Sequence, residues 1–552
     1  MNSLPYKWIV FLTYLLLYYY GKSQEVFEKN YYLDNCEPYN ISPGILNTID
    51  HGFYVLSFSG DTNASNNFFI NISRLNKNGD VLWNKNSDRF TINADEGFAG
   101  IVQYPDSSLV FISPHEYAGE WAWGHTAFIH VDKKGNGLWM RNYFCPPDRG
   151  DIYISSLERT YDNGLIAKGD FFAYPSGLDF VFLLKTDSVG NIEWCKQYYP
   201  DSTYSFSADS PITRVALSPD SGFLVTFDYS DSIHYNDYAC LMKTDSKGNF
   251  QWAMRYDTGA PQFTKPQIRN GSIYLAYGFN LFSNIEILKT NMNGVPLWNF
   301  IYDGPDLCWF YDGITDNKGN TYLSGFTCDT LGFIFKIDST GYVRWAYKYG
   351  KPDSSLIANM LLTSDGGVLG YCDGPVFFRN SPAYSFIDLI KVDSLGHNGC
   401  EMPFQINIHY VPIKYQNTGI KVYDVAMTQK DTILNFHDAP IDTTTLCAVK
   451  TMGVKEVKTE TENVKVYPNP TSGKAEIVVS GKSSAVSEIQ IEVYNVFGEV
   501  VFSQSSIENP AFTIDLSGQP NGVYFYRVTR MDEIASRSLA MTVGTGKIVV
   551  EK

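Results

Sequence analysis

The stretch Leu183–Tyr199, LLKTDSVGNIEWCKQYY, contains a skeleton that recurs along the whole chain: a basic residue, an Asp or Asn two places on, a Gly, and a Trp four residues after the Gly. The pairs are Gly79/Trp83, Gly135/Trp139, Gly190/Trp194, Gly248/Trp252, Gly294/Trp298 and Gly341/Trp345, and in a seventh copy Gly396 is followed by Cys400 in the Trp position. Successive copies lie 46 to 58 residues apart. In LMKTDSKGNFQW the residues before Asp245 alternate like a strand, Asp245 can bond the turn backbone, and Gly248 offers the positive φ that a tight hairpin needs. Trp252 restarts the chain as a second strand, and its indole is large enough to fill the wedge between neighbouring sheets.

Each repeat carries a second hallmark upstream, an Asp/Gly turn followed by a short β-rich run, as in DNGLIAKG from Asp162, DSGFLVTF from Asp220 and DGGVLGYC from Asp365. Two hairpins per copy predict four strands per repeat, and seven such units at this period predict a seven-bladed β-propeller. Consecutive strands are antiparallel, so the first and third connections of every blade share one face of the disc and the second and fourth share the other. The first and third are short turns of nearly constant sequence. The others vary, among them HEYAGEWAWGH, YSDSIHYND, GPVFFRNSPAYS and YDGPDLCWFYD, and variable loops on a rigid frame are where binding resides. Trp121, Trp123, Tyr235, Trp309 and Phe377 fall in these connections and are the candidate ligand-binding residues, suited to stacking on a sugar or anchoring a protein partner.

Closing the ring requires an extra strand. FEKNYYLDNC, from Phe27, resembles WMRNYFCPP, from Trp139, and two closures stand open: this segment pairs as the outer strand of blade seven, or the runs INIHYVPI, GIKVYDVAM and DTILNF between 401 and 449 do so or form a small appendage. The expected layout is a signal peptide over 1–23, the propeller over 24–400, this β-rich segment over 401–449, a linker over 450–463 and a small all-β sandwich over 464–552.

The signal peptide is read from Lys7, the apolar run Trp8–Tyr20, and Gly21 and Ser23 at the −3 and −1 positions for cleavage before Gln24. The run is short for a membrane span, so no stable span is expected after cleavage. Formal net charge is −16 and no basic cluster interrupts it, which argues against nucleic-acid binding. The nine cysteines show neither CxxC spacing nor a paired rhythm, and an odd number in an exported chain leaves at least one thiol out of any intrachain bridge. Most are expected to be small core residues, with room for one or two bridges between neighbouring blades; Cys400, in a Trp slot, is the one most clearly structural.

The sequence offers no pattern that assigns a catalytic residue, metal ligands or a cofactor. His115-Glu116 lacks the second His of a zinc-binding helix, position 119 being Gly, and no nucleophile elbow, P-loop or EF-hand loop occurs. The repeated Asp132, Asp187, Asp245, Asp338 and Asp393 are explained as turn formers. The two functional classes that remain are a binding and scaffolding propeller and, as the alternative, a carbohydrate-active or other hydrolytic enzyme with carboxylates at the channel.

The last module carries four motifs in order. They are Tyr467-Pro468-Asn469-Pro470 with Gly473, then Val493-Tyr494-Asn495 with Gly498, then Asp515-Leu516-Ser517 with Pro520, Gly522 and Tyr524, and finally Gly546-Lys547-Ile548-Val549-Val550. Over its whole length it resembles the type A C-terminal sorting domain of the bacterial type IX (Por) secretion system. The resemblance implies passage to the periplasm, recognition by the outer-membrane translocon, and a secreted or cell-surface destination, usually with removal of the domain. Such domains accompany adhesins, proteases, glycosidases and propellers alike, so the resemblance implies a route and leaves the activity open. Deletion of residues 464–552 is accordingly expected to leave a folded propeller trapped in the periplasm, as read by cell fractionation; normal surface delivery of the truncated chain contradicts the sorting assignment.

Overall fold

A computed structural model describes residues 25–33, 36–61, 68–89, 100–116, 125–144, 151–173, 178–200, 204–206, 214–231, 237–257, 263–278, 284–350, 356–373, 386–447, 463–480, 488–495, 500–507, 511–534 and 537–552. The described residues contain strands and turns and no α-helix. The chain forms two compact units, Met1–Thr451 and Met452–Lys552.

The first unit holds the seven predicted blades, but six sheets have one strand more than the four expected and blade four has two more, because Tyr204–Phe206 and Val215–Leu217 both pair with Phe223–Asp231. Blade three shows the pattern: Asp151–Arg159, Leu165–Ala173, Leu178–Thr186 and Ile192–Pro200 pair antiparallel in sequence order, and Ile420–Asp424 is added outside the fourth. One additional strand in every sheet comes from the segment 402–447. Met402–Pro403 joins blade six, Asn407–Tyr410 blade five, Tyr415–Asn417 blade four, Ile420–Asp424 blade three, Thr428–Thr432 blade two, Phe436–Asp438 blade one and Ile441–Cys447 blade seven. The segment is therefore neither an appendage nor a single closing strand, but a belt that runs round the disc against the order of the blades. Both closing segments are used. Phe27–Leu33 is the fourth strand of blade seven, with Ile441–Cys447 outside it, so the expectation of an N-terminal outer strand is corrected by one position. Outward-facing edge strands invite pairing, and the same segment covers all seven.

Adjacent blades are joined by one repeated contact. Gly248 adopts φ 74°, and a Cβ there would lie 2.8 Å from the Trp194 ring of blade three, so the residue must be Gly for both backbone and space. Four residues beyond five of the six Trp stands a Tyr whose hydroxyl donates to the carbonyl of the same turn glycine in the next blade: Tyr198 to Gly248 (2.7 Å), Tyr143 to Gly190 (2.7 Å), Tyr256 to Gly294 (2.6 Å), Tyr302 to Gly341 (2.7 Å) and Tyr349 to Gly396 (2.7 Å). Blade seven reproduces this with Phe27 in the Trp position and Tyr31 donating to Gly79 of blade one (2.6 Å). That correspondence explains why FEKNYY resembles WMRNYF. Seven hydrophobic clusters fill the gaps between blades, and six contain a half-buried Trp at their margin, which places the indoles in the inter-blade wedge.

The basic residue of the skeleton has its own task. Lys185 Nζ, almost wholly buried, meets Asp162 Oδ2 (3.0 Å) and Glu193 (2.9 Å), and Lys243 meets Asp220 (2.8 Å), so the lysine of the third strand staples the first turn of its own blade. Gly164 and Gly222 follow for a steric reason, since a Cβ at either would collide with the carbonyl of Thr186 or Thr244 and with the lysine Nζ. Positive φ in these turns is borne instead by the preceding Asn163 (66°) and Ser221 (66°). Burial by itself would raise the carboxyls of Asp162 and Asp220. Hydrogen bonds from Thr160, Gly164 and Lys185 to the one, and from Lys243, Gly222 and Ser218 to the other, outweigh it and hold both below the ordinary carboxylate range.

Among the cysteines, Cys308–Cys328 bridges blade six internally, Cys400–Cys447 joins the start of the belt to its end, and Cys195, Cys240 and Cys372 are buried thiols. Neither bridge links neighbouring blades in the manner expected. The second unit is a two-sheet sandwich. Asn463–Tyr467, Lys474–Ser480 and Ala511–Asp515 form one sheet, and Val500–Ile507, Glu488–Tyr494, Gly522–Ile534 and Arg537–Val550 form the other, around Ile477, Ile491, Val493, Ile514 and Ile548.

Trp194→Ala is expected to cost about 3 kcal/mol, the low end for deleting a buried aromatic because the ring is only half-buried. Tyr198→Phe should cost about 1 kcal/mol for its hydrogen bond; chemical denaturation measures both, and an unchanged midpoint for Trp194→Ala contradicts the wedge. Acid provides a separate check. A depressed carboxyl contributes stability that is full above its unfolded value, near 3.8, and is lost as pH falls through the lower folded value. The melting temperature should therefore hold down to about pH 5 and fall below about pH 4, with a smaller acid loss in the Asp162→Asn, Asp220→Asn variant.

Candidate functional site

Of the five candidate ligand residues, the structure describes Trp309. It lies inside the first strand of blade six, Leu307–Thr315, where it is half-buried and stacked on Phe326 at 6.2 Å and 13°. Sequence had put it in a connection, whereas here it lies within an inner strand. Trp121, Trp123, Tyr235 and Phe377 lie outside the described residues.

The short-turn face is more distinctive than its repeated sequence implies. The turn carboxylates are taken up locally: Asp187 Oδ1 accepts from Val189 N (3.0 Å) and Asn191 N (2.8 Å), and Asp245 does the same with Lys247 N (2.9 Å) and Asn249 N (2.8 Å). At or beside these turns, however, Ile49, Leu82, Leu138, Tyr161, Val189 and Leu395 are more than half exposed.

At the other end of the architecture, the first strands converge opposite the belt and tie to one another around the axis. Val215 N donates to Ser156 Oγ (3.1 Å) and Arg269 Nε to the Thr315 carbonyl (3.0 Å), while Met360 N donates to Asp312 Oδ2 (2.9 Å). Lys265 of blade five forms an ion pair with Glu158 of blade three, and Arg214 of blade four interacts electrostatically with Asp312 of blade six. Each interaction skips the intervening blade, so the four side chains meet across the central channel as two cations and two carboxylates. Burial pushes Asp312 upward against hydrogen bonds from the Met360 and Gly313 amides and the nearby Arg214 and Lys265. Burial likewise lowers Arg214 to about 10, against the pull of Asp312. Sequence reading missed this group. The inner strands carry register shifts at Ile154/Ser156 and Phe310/Asp312, so the channel residues stand at no fixed distance from the repeat glycines and show no periodic signal.

In the second unit the motifs assemble at one corner. Asn469 donates to the Lys547 carbonyl (2.8 Å) and accepts from Val549 N (2.8 Å), while Thr471 N donates to the Val549 carbonyl (2.8 Å). Leu516 N donates to the Gly473 carbonyl (2.6 Å), and a Cβ at Gly473, φ 136°, would lie 2.8 Å from Ser517 Cα. Tyr524 Oη donates to the Pro520 carbonyl (2.7 Å). Tyr467, Phe525 and Lys547 remain exposed. Nothing crowds Gly522, so close approach does not explain that glycine; Gly498 lies outside the described residues.

Residues 465–541 match the family model of the secretion system C-terminal sorting domain. No curated protein matches the chain. Among solved structures, one titled as the eukaryotic initiation factor is 10% identical, with 60% of this chain and 97% of that one covered at a TM-score of 0.27. A biofilm associated protein BSP domain is 8% identical, with 96% and 91% covered at a TM-score of 0.12. Neither likeness carries an argument about fold or role. Among the described residues no helix is long and apolar enough to cross a membrane. The seven repeated sheets and the matched tail together identify an exported propeller-repeat protein with a type IX sorting domain, delivered to the cell surface or secreted.

Proposed function

We propose that the propeller is an extracellular binding and scaffolding module whose partner, a glycan or a protein, docks on the face of the long connections. The observation that carries this reading is the state of the channel charges. Glu158 is paired with Lys265, and Asp312 is held by two backbone amides beside Arg214. Carboxylates so engaged act as struts between blades, which favours binding over hydrolysis. The aromatic connections on the opposite side of the blades from the short turns then supply the contacts, with Trp121 and Trp123 as anchors.

The hydrolytic reading retains one supporting observation, the upward shift of Asp312 in a channel that also holds Glu158. A glycan array and a hydrolysis screen on the exported protein separate the two. Trp121→Ala with Trp123→Ala is expected to weaken a glycan hit by about tenfold or more, as for loss of a hot-spot aromatic, without moving the melting temperature. Asp312→Asn should leave that binding intact. Turnover that disappears in Asp312→Asn overturns the binding reading in favour of the enzyme, and unchanged affinity in the double aromatic variant removes those residues from the site.

A further inference from the structure

The belt is closed covalently where its ends meet. It leaves blade seven after Cys400, visits blades six, five, four, three, two and one in turn, and returns to blade seven at Cys447, whose sulfur is bonded to Cys400. Apart from backbone pairing, it inserts apolar side chains into successive inter-blade gaps. Phe404 and Ile406 enter the gap between blades five and six, Ile413 four and five, Ile420 three and four, Val425 two and three, Phe436 one and two, and Ile441 seven and one. Among the described residues the cluster between blades six and seven receives no belt side chain. That is the gap at which the belt begins on blade six and ends on blade seven, and the disulfide joins the two ends there.

We propose that residues 400–447 form a girdle that the Cys400–Cys447 bond clasps in the oxidising space beyond the inner membrane, and that this clasp holds the seven blades together against opening from the edge. The lengths of the parts support this. The belt strands on blades six, four and one have only two or three residues, and most belt side chains face solvent, so each contact alone is weak. Without the bond, the end of the belt on blade seven is held there by its strand pairing alone and can peel away one blade at a time. Fixing both ends requires the contacts to open together, and loop-entropy accounting for a separation of 47 residues corresponds to roughly a thousandfold in the opening equilibrium. The export route brings the chain to a compartment where disulfides form and persist. Cys308–Cys328, which spans 20 residues inside blade six, is the internal control.

The test uses the full chain and hydrogen exchange read by mass spectrometry over peptides from 402 to 447. In Cys400→Ser with Cys447→Ser, belt amides should exchange at least tenfold faster, with Ile441–Cys447 losing protection first, while Cys308→Ser with Cys328→Ser leaves the belt within twofold of wild type. Should the clasp variant fail to fold, the Cys308→Ser, Cys328→Ser protein is folded oxidised and then reduced under native conditions. Loss of belt protection on reduction, alone or followed by the blades, supports the clasp. Belt protection within twofold of the oxidised protein, or equal loss in both disulfide variants, overturns it.

Discussion

The packing of each blade on the turn glycine of the next is the interaction on which the disc depends. A Trp or Phe ring covers the glycine and a Tyr four residues later binds its carbonyl, so one residue with positive φ serves two neighbours at once. Because the ring can approach only where there is no Cβ, the requirement for Gly in one blade is imposed partly by the blade before it. This is the reason a short skeleton recurs with so little change while the connections between copies vary freely. Blade one departs from it: Ser87 takes the Tyr position and accepts Ile70 N within its own blade, and the gap to blade two is filled by the cluster that includes Leu434 and Phe436 of the belt.

Charge is organised radially. Near the turns, buried lysines are matched by Asp residues of the same blade, which holds the two hairpins of one sheet together. Near the axis, matching crosses from blade three to blade five and from blade four to blade six. Ions taken from water are tolerated only when paired and hydrogen-bonded, and both arrangements meet that condition by different geometry. Outside, Lys196 and Arg141 reach the belt carboxylates Asp424 (2.6 Å) and Asp431 (2.6 Å), which adds exposed, weaker ties to a strand already paired through its backbone.

The two units solve the problem of sheet edges differently. In the propeller a distant segment covers every blade, whereas in the sorting domain the motif around Asn469 grips the terminal strand through its backbone amide and carbonyl. Motifs at opposite ends of that domain are thereby one structure, with Tyr467 and Lys547 left exposed on it. The propeller and the sorting signal are thus separable in architecture, in keeping with a tail that specifies delivery and an array that specifies what is delivered.

What the sequence by itself determined follows from local physics. The hairpin glycines, the alternating runs and the Trp spacing are each legible within a dozen residues, and they suffice for seven blades, their strand parity and the sorting domain. The similarity of FEKNYY to WMRNYF offered the N-terminal strand as one of two closures of blade seven, and the structure uses it there because Phe27 and Tyr31 perform the tasks of Trp139 and Tyr143. Only the tertiary structure decided the belt, whose strands are too short and too exposed to show a period and acquire meaning from edges hundreds of residues away. It likewise decided the channel, where Glu158, Arg214, Lys265 and Asp312 come from four blades, two of them with bulged inner strands, and are neighbours only once the ring has closed.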